Sequence, residues 1–194
     1  MKPIVMSAFA LWAIAPLVLA QIPGMPSQPG PIIQQNARDA FRREDQIESL
    51  LRLQRESFLI AKSTYDHGDF ALARRLFQTI AEGESPPSQY FMGVMCAKGQ
   101  GGPRDDIQAA GWFRKAADKG VAEAQFNLAM AYLAGQGVTA DNEQGAKWLR
   151  RAADQGLARA QFNLGVLYEN GQGVPPDADR AAAWYRKAAA GGVK

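Results

Sequence analysis

The sequence repeats itself at an interval of 36 residues. Trp112, Trp148 and Trp184 are separated by this interval. Three other sets of residues follow the same spacing: Gly99, Gly135 and Gly171; Gly120, Gly156 and Gly192; and Asp105, Asp141 and Asp177. The segments 125–138 (QFNLAMAYLAGQGV) and 161–174 (QFNLGVLYENGQGV) are nearly identical. A fixed period of this length is typical of chains built from stacked copies of one supersecondary unit.

Each repeat contains the signals for two helices. The pattern predicts a first helix over 122–134, which Gly135 ends because glycine readily adopts the left-handed conformation found after a helix. Asp141 is expected to cap a second helix through its side-chain oxygen, and Gly156 closes that helix. The second helix has an apolar side made of Ala146, Trp148, Leu149, Ala152 and Ala153. Neither helix can bury its apolar face alone, so the repeats are expected to stack into an all-α solenoid.

The repeated residues resemble the Sel-one-like repeat, a relative of the tetratricopeptide repeat. The fullest match lies in residues 160–192, at Asn163, Leu164, Gly165, Tyr168, Gly171, Gly173, Asp177, Ala181, Trp184 and Tyr185. Earlier repeats depart from the motif at Ala129 and Gly145, and then at Phe91, Met92 and Cys96. Residues 68–77 (GDFALARRLF) resemble the second helix of a tetratricopeptide repeat. The resemblance implies a right-handed α/α superhelical solenoid of helix-turn-helix repeats.

The amino-terminal residues have the layout of a secretory signal peptide. Lys2 supplies a positive start, an apolar stretch follows, and the small residue Ala20 stands at the expected cleavage site. The apolar stretch is shorter than the roughly 20 residues that a membrane-spanning helix needs. We therefore expect export across the inner membrane into a bacterial periplasm, with no membrane insertion after cleavage. An uncleaved membrane anchor is the alternative.

Between this segment and the repeats, the sequence predicts a linker, a long helix and a half repeat. The linker is rich in Pro, Gly and Gln, whereas no Gly or Pro occurs from Ile32 to His67. The full expected order is signal peptide 1–20, linker 21–31, long helix or helix pair 32–66, half repeat 67–86, and repeats 87–120, 121–156 and 157–192.

The predicted helix over 32–66 carries a heptad-like apolar stripe. Its members are Ile33, Ala37, Ala40, Ile47, Leu51, Phe58, Ala61 and Tyr65. Two polar residues, Glu44 and Gln54, interrupt the stripe. A helix that lies along the rest of the protein as an extra cap is the preferred interpretation, and a coiled-coil dimer is the alternative.

Composition argues against most catalytic and nucleic-acid-binding classes. The chain has one Cys and one His, too few for a disulfide framework, a multi-cysteine metal site or histidine-based catalysis. The net charge is only +3, whereas nucleic-acid binding calls for a dense basic stripe. We expect no metal, no cofactor, no nucleic-acid partner and no enzymatic activity.

The resemblance also implies a binding groove lined by the first helix of each repeat, where relatives hold peptides or protein partners. Mapping that groove onto this chain selects Tyr90, Val94, Phe126, Asn127, Met130, Leu133, Phe162, Asn163, Val166, Glu169 and Asn170. The three aromatic residues are 36 apart and could form a ladder across the repeats, or they could pack as core between them. The two asparagines could bind an extended peptide backbone or tie adjacent helices together.

Two further features have structural explanations. The basic pairs Arg114-Lys115, Arg150-Arg151 and Arg186-Lys187 lie in last turns of second helices, where cations are favoured. Asp118 and Asp154 follow the first two pairs at a spacing that allows ion pairs along the helix. These pairs are expected to form a solvated face rather than an anion-binding site. Cys96 stands at a packing position and is expected to be a buried, unpaired thiol.

The sequence thus predicts an exported, non-catalytic interaction module, an adaptor or regulator in the bacterial cell envelope. The last repeat has no further helix after it, so Trp184 and Tyr185 are expected to be uncovered on one side. That end is expected to dock onto a second copy of the chain or onto a partner protein, and the helix at 32–66 could also join two copies. The alternatives are a self-assembling structural protein and an enzyme acting on cell-wall or β-lactam substrates, as suggested for cysteine-rich relatives. A single Cys argues against that kinship.

Overall fold

The computed structural model describes residues 31–192. The predicted signal peptide and residues 21–30 of the predicted linker lie outside the described residues. Within 31–192 the chain forms eight α-helices and no strand, which confirms the all-α prediction. The helices are α1 (Pro31–Asp66), α2 (Phe70–Glu82), α3 (Pro86–Lys98), α4 (Asp106–Asp118), α5 (Ala122–Ala134), α6 (Asn142–Asp154), α7 (Ala158–Asn170) and α8 (Ala178–Ala190).

Four aspartates begin the even-numbered helices in the same way. Each side chain accepts a hydrogen bond from the backbone N–H three residues later, over 2.8–3.1 Å. The four residues are Asp69, Asp105, Asp141 and Asp177. Such a cap stabilises a helix by about 1 kcal/mol. Because Asp69 precedes Asp105 by the repeat interval, α2 belongs to the same series as α4, α6 and α8.

Two glycines fix each turn between the helices of one repeat. Gly135 ends α5 with a φ of +68°, a conformation that costs glycine little. Gly137 lies against the start of α4, where a Cβ atom would stand 1.9 Å from the carbonyl oxygen of Asp106. The same close approach joins Gly101 to Phe70 and Gly173 to Asn142. Each turn therefore docks on the second helix of the unit before it.

Consecutive helices from α2 to α8 pack against one another and enclose small side chains. Alanines of the second helices, such as Ala116 and Ala152, are fully buried and allow the helices to approach closely. Larger apolar residues, including Leu128, Leu149 and Leu164, fill the space between repeats. This arrangement is the stacked solenoid that the repeat predicts.

Contacts divide the chain into two compact units at residue 55, which lies within α1. In the second unit, Phe58 and Tyr65 of α1 pack against α2 and α3, with Phe58 5.9 Å from Phe77 and Tyr65 5.4 Å from Phe91 between ring centroids. This part of the predicted stripe covers the half repeat. In the first unit, Ile47 and Leu51 are each 56% exposed. The coiled-coil alternative for that segment stays a prediction.

The expectation that Trp184 is uncovered is wrong. Its side chain is only 6% exposed, because it belongs to the core cluster of the repeats and two basic side chains lie over its ring. Lys187 Nζ is 4.0 Å from the ring centroid, and the guanidinium carbon of Arg150 is 5.7 Å from it. Tyr185 remains partly exposed, although it packs on Gly165 of α7.

Candidate partner-binding face

The first helices of the three repeats, α3, α5 and α7, form one face. Helices α3 and α5 are in contact, and Arg159 of α7 lies over the Phe126 ring of α5 at 4.6 Å. All the predicted groove residues lie on these helices. Those that are half-buried are Tyr90, Val94, Phe126, Asn127, Met130, Leu133, Asn163 and Val166, and those that are exposed are Phe162, Glu169 and Asn170.

The three periodic aromatic residues are engaged by different neighbours. Tyr90 contacts Phe91 and Phe113, with ring centroids 5.5 Å and 6.2 Å away. Phe126 is covered by Arg159, whereas Phe162 contacts Tyr185 at 5.3 Å and is 46% exposed. Each ring therefore packs on the core with one part and presents another part to solvent. Their role in binding stays a prediction.

Two polar residues predicted for the groove have partners within the chain. Asn163 Nδ2 donates a hydrogen bond to the carbonyl oxygen of Arg159 over 2.7 Å, inside its own helix. The Tyr185 hydroxyl donates to the Glu169 carboxylate over 2.5 Å. This hydrogen bond raises the pKa of Tyr185 to about 12. Asn163 therefore forms a hydrogen bond within α7, and Glu169 forms one that joins α7 to α8.

A cavity of about 220 Å³ opens between α3 and α5, with α4 as its floor. Three predicted groove residues, Val94, Asn127 and Met130, line it. Sequence reasoning missed its other lining residues, which are Ala97, Lys98, Asp106, Ala109, Ala110, Phe113, Ala131 and Gln136. The signal that could have found the cavity is the small size of Ala97 and Ala131, since both are leucine one repeat later.

Sequence reasoning also missed a series of buried glutamines that joins successive repeats. Gln89, Gln125 and Gln161 are 36 apart and at most 8% exposed. Each side-chain amide donates to a carbonyl oxygen near the end of the preceding helix, those of Ala81, Ala117 and Ala153, over 3.1–3.2 Å. These hydrogen bonds satisfy carbonyl groups that a helix end leaves without a partner. The repetition of QFNL in the sequence contains this signal.

The second member of each basic pair lies over a tryptophan ring of its own helix. Lys115, Arg151 and Lys187 are 4.0–4.4 Å from the centroids of the tryptophans three residues earlier. The predicted ion pair between Arg150 and Asp154 is present at 3.9 Å. Arg114 does not form the predicted pair with Asp118 among the described residues and instead donates to the Tyr132 hydroxyl.

Cys96 is fully buried, and its burial raises the pKa of the thiol. Arg74 Nη2 lies 3.5 Å from its sulfur. The sequence has one cysteine, so no disulfide can form within the chain. Within residues 31–192, no three His, Cys, Asp or Glu side chains come together as metal ligands. No helix in this range is both long enough and apolar enough to cross a membrane.

The family model of the Sel1 repeat matches three consecutive segments, residues 86–121, 122–157 and 158–193. The chain belongs to the Sel1 repeat family. Proteins built from Sel1 repeats are typically protein–protein interaction modules. The matched segments contain the helix pairs α3–α4, α5–α6 and α7–α8 described above.

Solved structures give the same fold. A Sel1 repeat protein from Oxalobacter formigenes is 32% identical with a TM-score of 0.67, and the match covers 70% of this chain and 54% of that one. A protective antigen present in uropathogenic Escherichia coli strains, which displays an SLR fold, is 34% identical with a TM-score of 0.70. That match covers 77% of this chain and 33% of the antigen. This Sel1 repeat chain thus spans about half the length of the Oxalobacter formigenes protein and about a third of the length of the antigen. Among curated proteins, the comparison finds no significant match.

Proposed function

We propose that this Sel1 repeat protein is an exported, non-catalytic adaptor or regulator of the cell envelope, which holds a partner protein or peptide on the face of α3, α5 and α7. The observation that carries the proposal is the row of apolar side chains left partly exposed there at the repeat interval, above all Phe162 at 46% exposure. A large aromatic side chain in that state adds contact area at a low cost in conformational entropy, as binding surfaces require.

Export is supported by residues 1–20, and non-catalytic action by the state of the reactive side chains. Cys96 is fully buried, and Glu169 accepts a hydrogen bond from Tyr185. His67 is exposed, with Nδ1 2.7 Å from the carbonyl oxygen of Ser63. Amino-terminal sequencing of the protein from the cells that produce it tests export: a chain that begins at Gln21 supports it, and one that begins at Met1 contradicts it.

Cross-linking in intact cells, followed by purification and mass spectrometry, tests partner binding. The test variant carries Phe126→Ala and Phe162→Ala, both on the proposed face. The matched control is Ile107→Ala, because Ile107 is an apolar residue of α4 that is 74% exposed. We expect one recurrent envelope protein with the wild type and the control, and its loss with the test variant at an unchanged circular dichroism spectrum.

Two outcomes would contradict the proposal. Equal retention of the partner by all three proteins would show that the face does not bind it. Cross-links between copies of the chain alone would favour the self-assembling structural protein. If the double variant unfolds, Phe162→Ala alone provides the test, since its side chain is nearly half exposed and its removal disturbs the core least.

A further inference from the structure

The cavity between α3 and α5 lies where the first repeat has alanine at residue 97, a position at which the later repeats have Leu133 and Glu169. Ala97 stands one repeat interval before Leu133, and Ala109 one interval before Gly145. In the second repeat, Leu133 lies so close to Gly145 that a Cβ atom there would stand 2.7 Å from it. The first repeat has no leucine at this place, and the space that Leu133 takes up in the second repeat is left open in the first.

The size and lining of this space suit one apolar side chain. Its volume is about 220 Å³, whereas an apolar cavity of about 150 Å³ accommodates benzene. The walls are made of Val94, Ala97, Ala109, Phe113 and Met130. A side chain the size of Leu, Met or Phe would therefore remove apolar surface from water on both sides of the contact.

The charged residues at the cavity leave one positive charge without a partner. The Asp106 carboxylate accepts two hydrogen bonds from Arg104, over 3.0 Å and 2.9 Å, and the guanidinium lowers the pKa of Asp106. Lys98, in contrast, has no carboxylate within 4.0 Å among residues 31–192. The later repeats have Ala134 and Asn170 at the position of Lys98, so this charge belongs to the first repeat alone.

We infer that this cavity binds an apolar side chain of an acidic partner segment, with Lys98 facing an Asp or Glu side chain next to it in the partner sequence. The occupant is an internal segment rather than a chain end, because the proposed face continues from the cavity across α5 and α7 and a bound chain would follow it. This inference rests on the proposed function, since it places one residue of the partner on the proposed face.

Titration of the protein, labelled with ¹³C in its methionine methyl groups, with three nine-residue peptides tests the inference by NMR. All three are C-terminal amides of Gly and Ser that contain, in the centre, Leu-Glu, Leu-Gln or Ala-Glu. The Met130 methyl group reports on the cavity, and Met92 and Met95, buried in a separate cluster, serve as internal controls. We expect the Leu-Glu peptide to shift the Met130 signal saturably and to bind at least five-fold more tightly than the other two.

Variants that copy the second repeat separate the roles of shape and charge. Lys98→Ala, which reproduces Ala134, is expected to abolish the preference for Leu-Glu over Leu-Gln and to leave Leu-Gln binding unchanged. The pair Ala97→Leu and Ala109→Gly, which reproduces Leu133 and Gly145, is expected to fill the cavity and prevent binding of both leucine peptides. If this pair unfolds, Ala131→Leu, which copies Leu167, fills the cavity from α5 instead.

Three results would overturn the inference. Equal binding of the Leu-Glu and Leu-Gln peptides would show that Lys98 does not recognise an acidic side chain. An unchanged Met130 signal at millimolar peptide would show that the cavity does not bind the peptide. Tighter binding of a peptide that ends in a free Leu carboxylate would show that the occupant is a chain end. The cross-linking experiment tests the proposed function separately. It measures whether the double variant at Phe126 and Phe162 loses the cellular partner, and that result does not depend on these peptides.

Discussion

Arg150 donates a hydrogen bond from Nη1 to the Tyr168 hydroxyl over 2.8 Å, and so joins the second helix of one repeat to the first helix of the next. One interval earlier, Arg114 donates to the Tyr132 hydroxyl in the same way. Tyr168 is 3% exposed, so its hydroxyl has little access to water as an alternative partner. The junctions between repeats are therefore polar as well as apolar.

Tyr168→Phe is expected to lower the free energy of unfolding by about 1 kcal/mol, because it removes this hydrogen bond and keeps the ring. Urea denaturation of the purified protein measures the loss. Arg150→Met should lose at least as much, because it also removes the ion pair with Asp154 and the contact with the Trp184 ring. The double variant should lose less than the sum of the two, since both single changes remove the shared hydrogen bond. Additive losses would show that the two side chains stabilise the fold independently.

Gly191→Gln is expected to be more stable than Gly191→Ala by about 0.5–1.5 kcal/mol. In the second repeat, Gln155 Nε2 donates to the Oε1 atom of Gln125 over 2.8 Å. Gly191 stands one repeat interval after Gln155, and the Oε1 atom of Gln161 is buried without a partner among the described residues. A glutamine at residue 191 could supply the missing donor.

The comparison with alanine is needed because a Cβ atom at residue 191 would lie 3.0 Å from the Ala158 Cβ atom. Both variants carry that contact, so the difference between their melting temperatures reports on the amide group. Equal melting temperatures would show that the buried Oε1 atom of Gln161 gains nothing from a donor at this position.

Gly137→Ala is expected to be more destabilising than Gly156→Ala by about 1–3 kcal/mol. Both residues have positive φ, +70° and +89°, so both substitutions strain the backbone. Only at residue 137 would the new Cβ atom meet the backbone, 1.9 Å from the Asp106 carbonyl oxygen, whereas residue 156 has nothing within 4 Å. Urea denaturation of both variants provides the measurement, and equal losses would mean that the turn does not dock on α4 in solution.

The contribution of the hydrogen bond between Tyr185 and Glu169 to stability is expected to disappear at high pH. The pKa of Tyr185 is about 12 in the folded protein, against an ordinary value of 10.0. The folded state thus holds this proton more tightly than the unfolded state. The stabilisation is complete below pH 10 and is lost as the pH rises from about 10 to about 12.

A spectrophotometric titration of tyrosinate absorbance tests this assignment. Tyr185→Phe should remove the tyrosine that ionises near pH 12, one of five tyrosines in the chain. Glu169→Gln should move the pKa of Tyr185 back towards 10, because the carboxylate that accepts the hydrogen bond from its hydroxyl is replaced by a neutral amide. If Glu169→Gln leaves the titration curve unchanged, or if Tyr185→Phe removes a tyrosine that ionises near pH 10 rather than near pH 12, the hydrogen bond between these residues is contradicted.

The helices could be predicted from the sequence because their ends are set by local chemistry. Glycine at residue 135 and aspartate at residue 141 act within one or two turns of the backbone, and α5 occupies the predicted 122–134. The burial of Trp184 could not be predicted in the same way. It depends on the side chains of Arg150 and Lys187, which reach the ring from two different helices.

The candidate site could be predicted only in outline. The repeat interval places Val94, Asn127 and Met130 on the first helices, and all three line the cavity. The cavity itself depends on a relation across two helices, since alanine at residue 97 leaves space only when no larger residue of α4 fills it. The sequence pattern of one helix does not show which residues of the neighbouring helix lie opposite it.

The turn glycines have a consequence for how such a chain can change its length. Gly101, Gly137 and Gly173 each dock on the second helix of the unit immediately before them, so a duplicated unit would form the same contact with its neighbour. Natural duplication or deletion of whole units would therefore lengthen or shorten the protein while keeping this junction between turn and helix. Ala97 and Lys98 would still distinguish the first repeat, because the other two repeats have different residues at both positions.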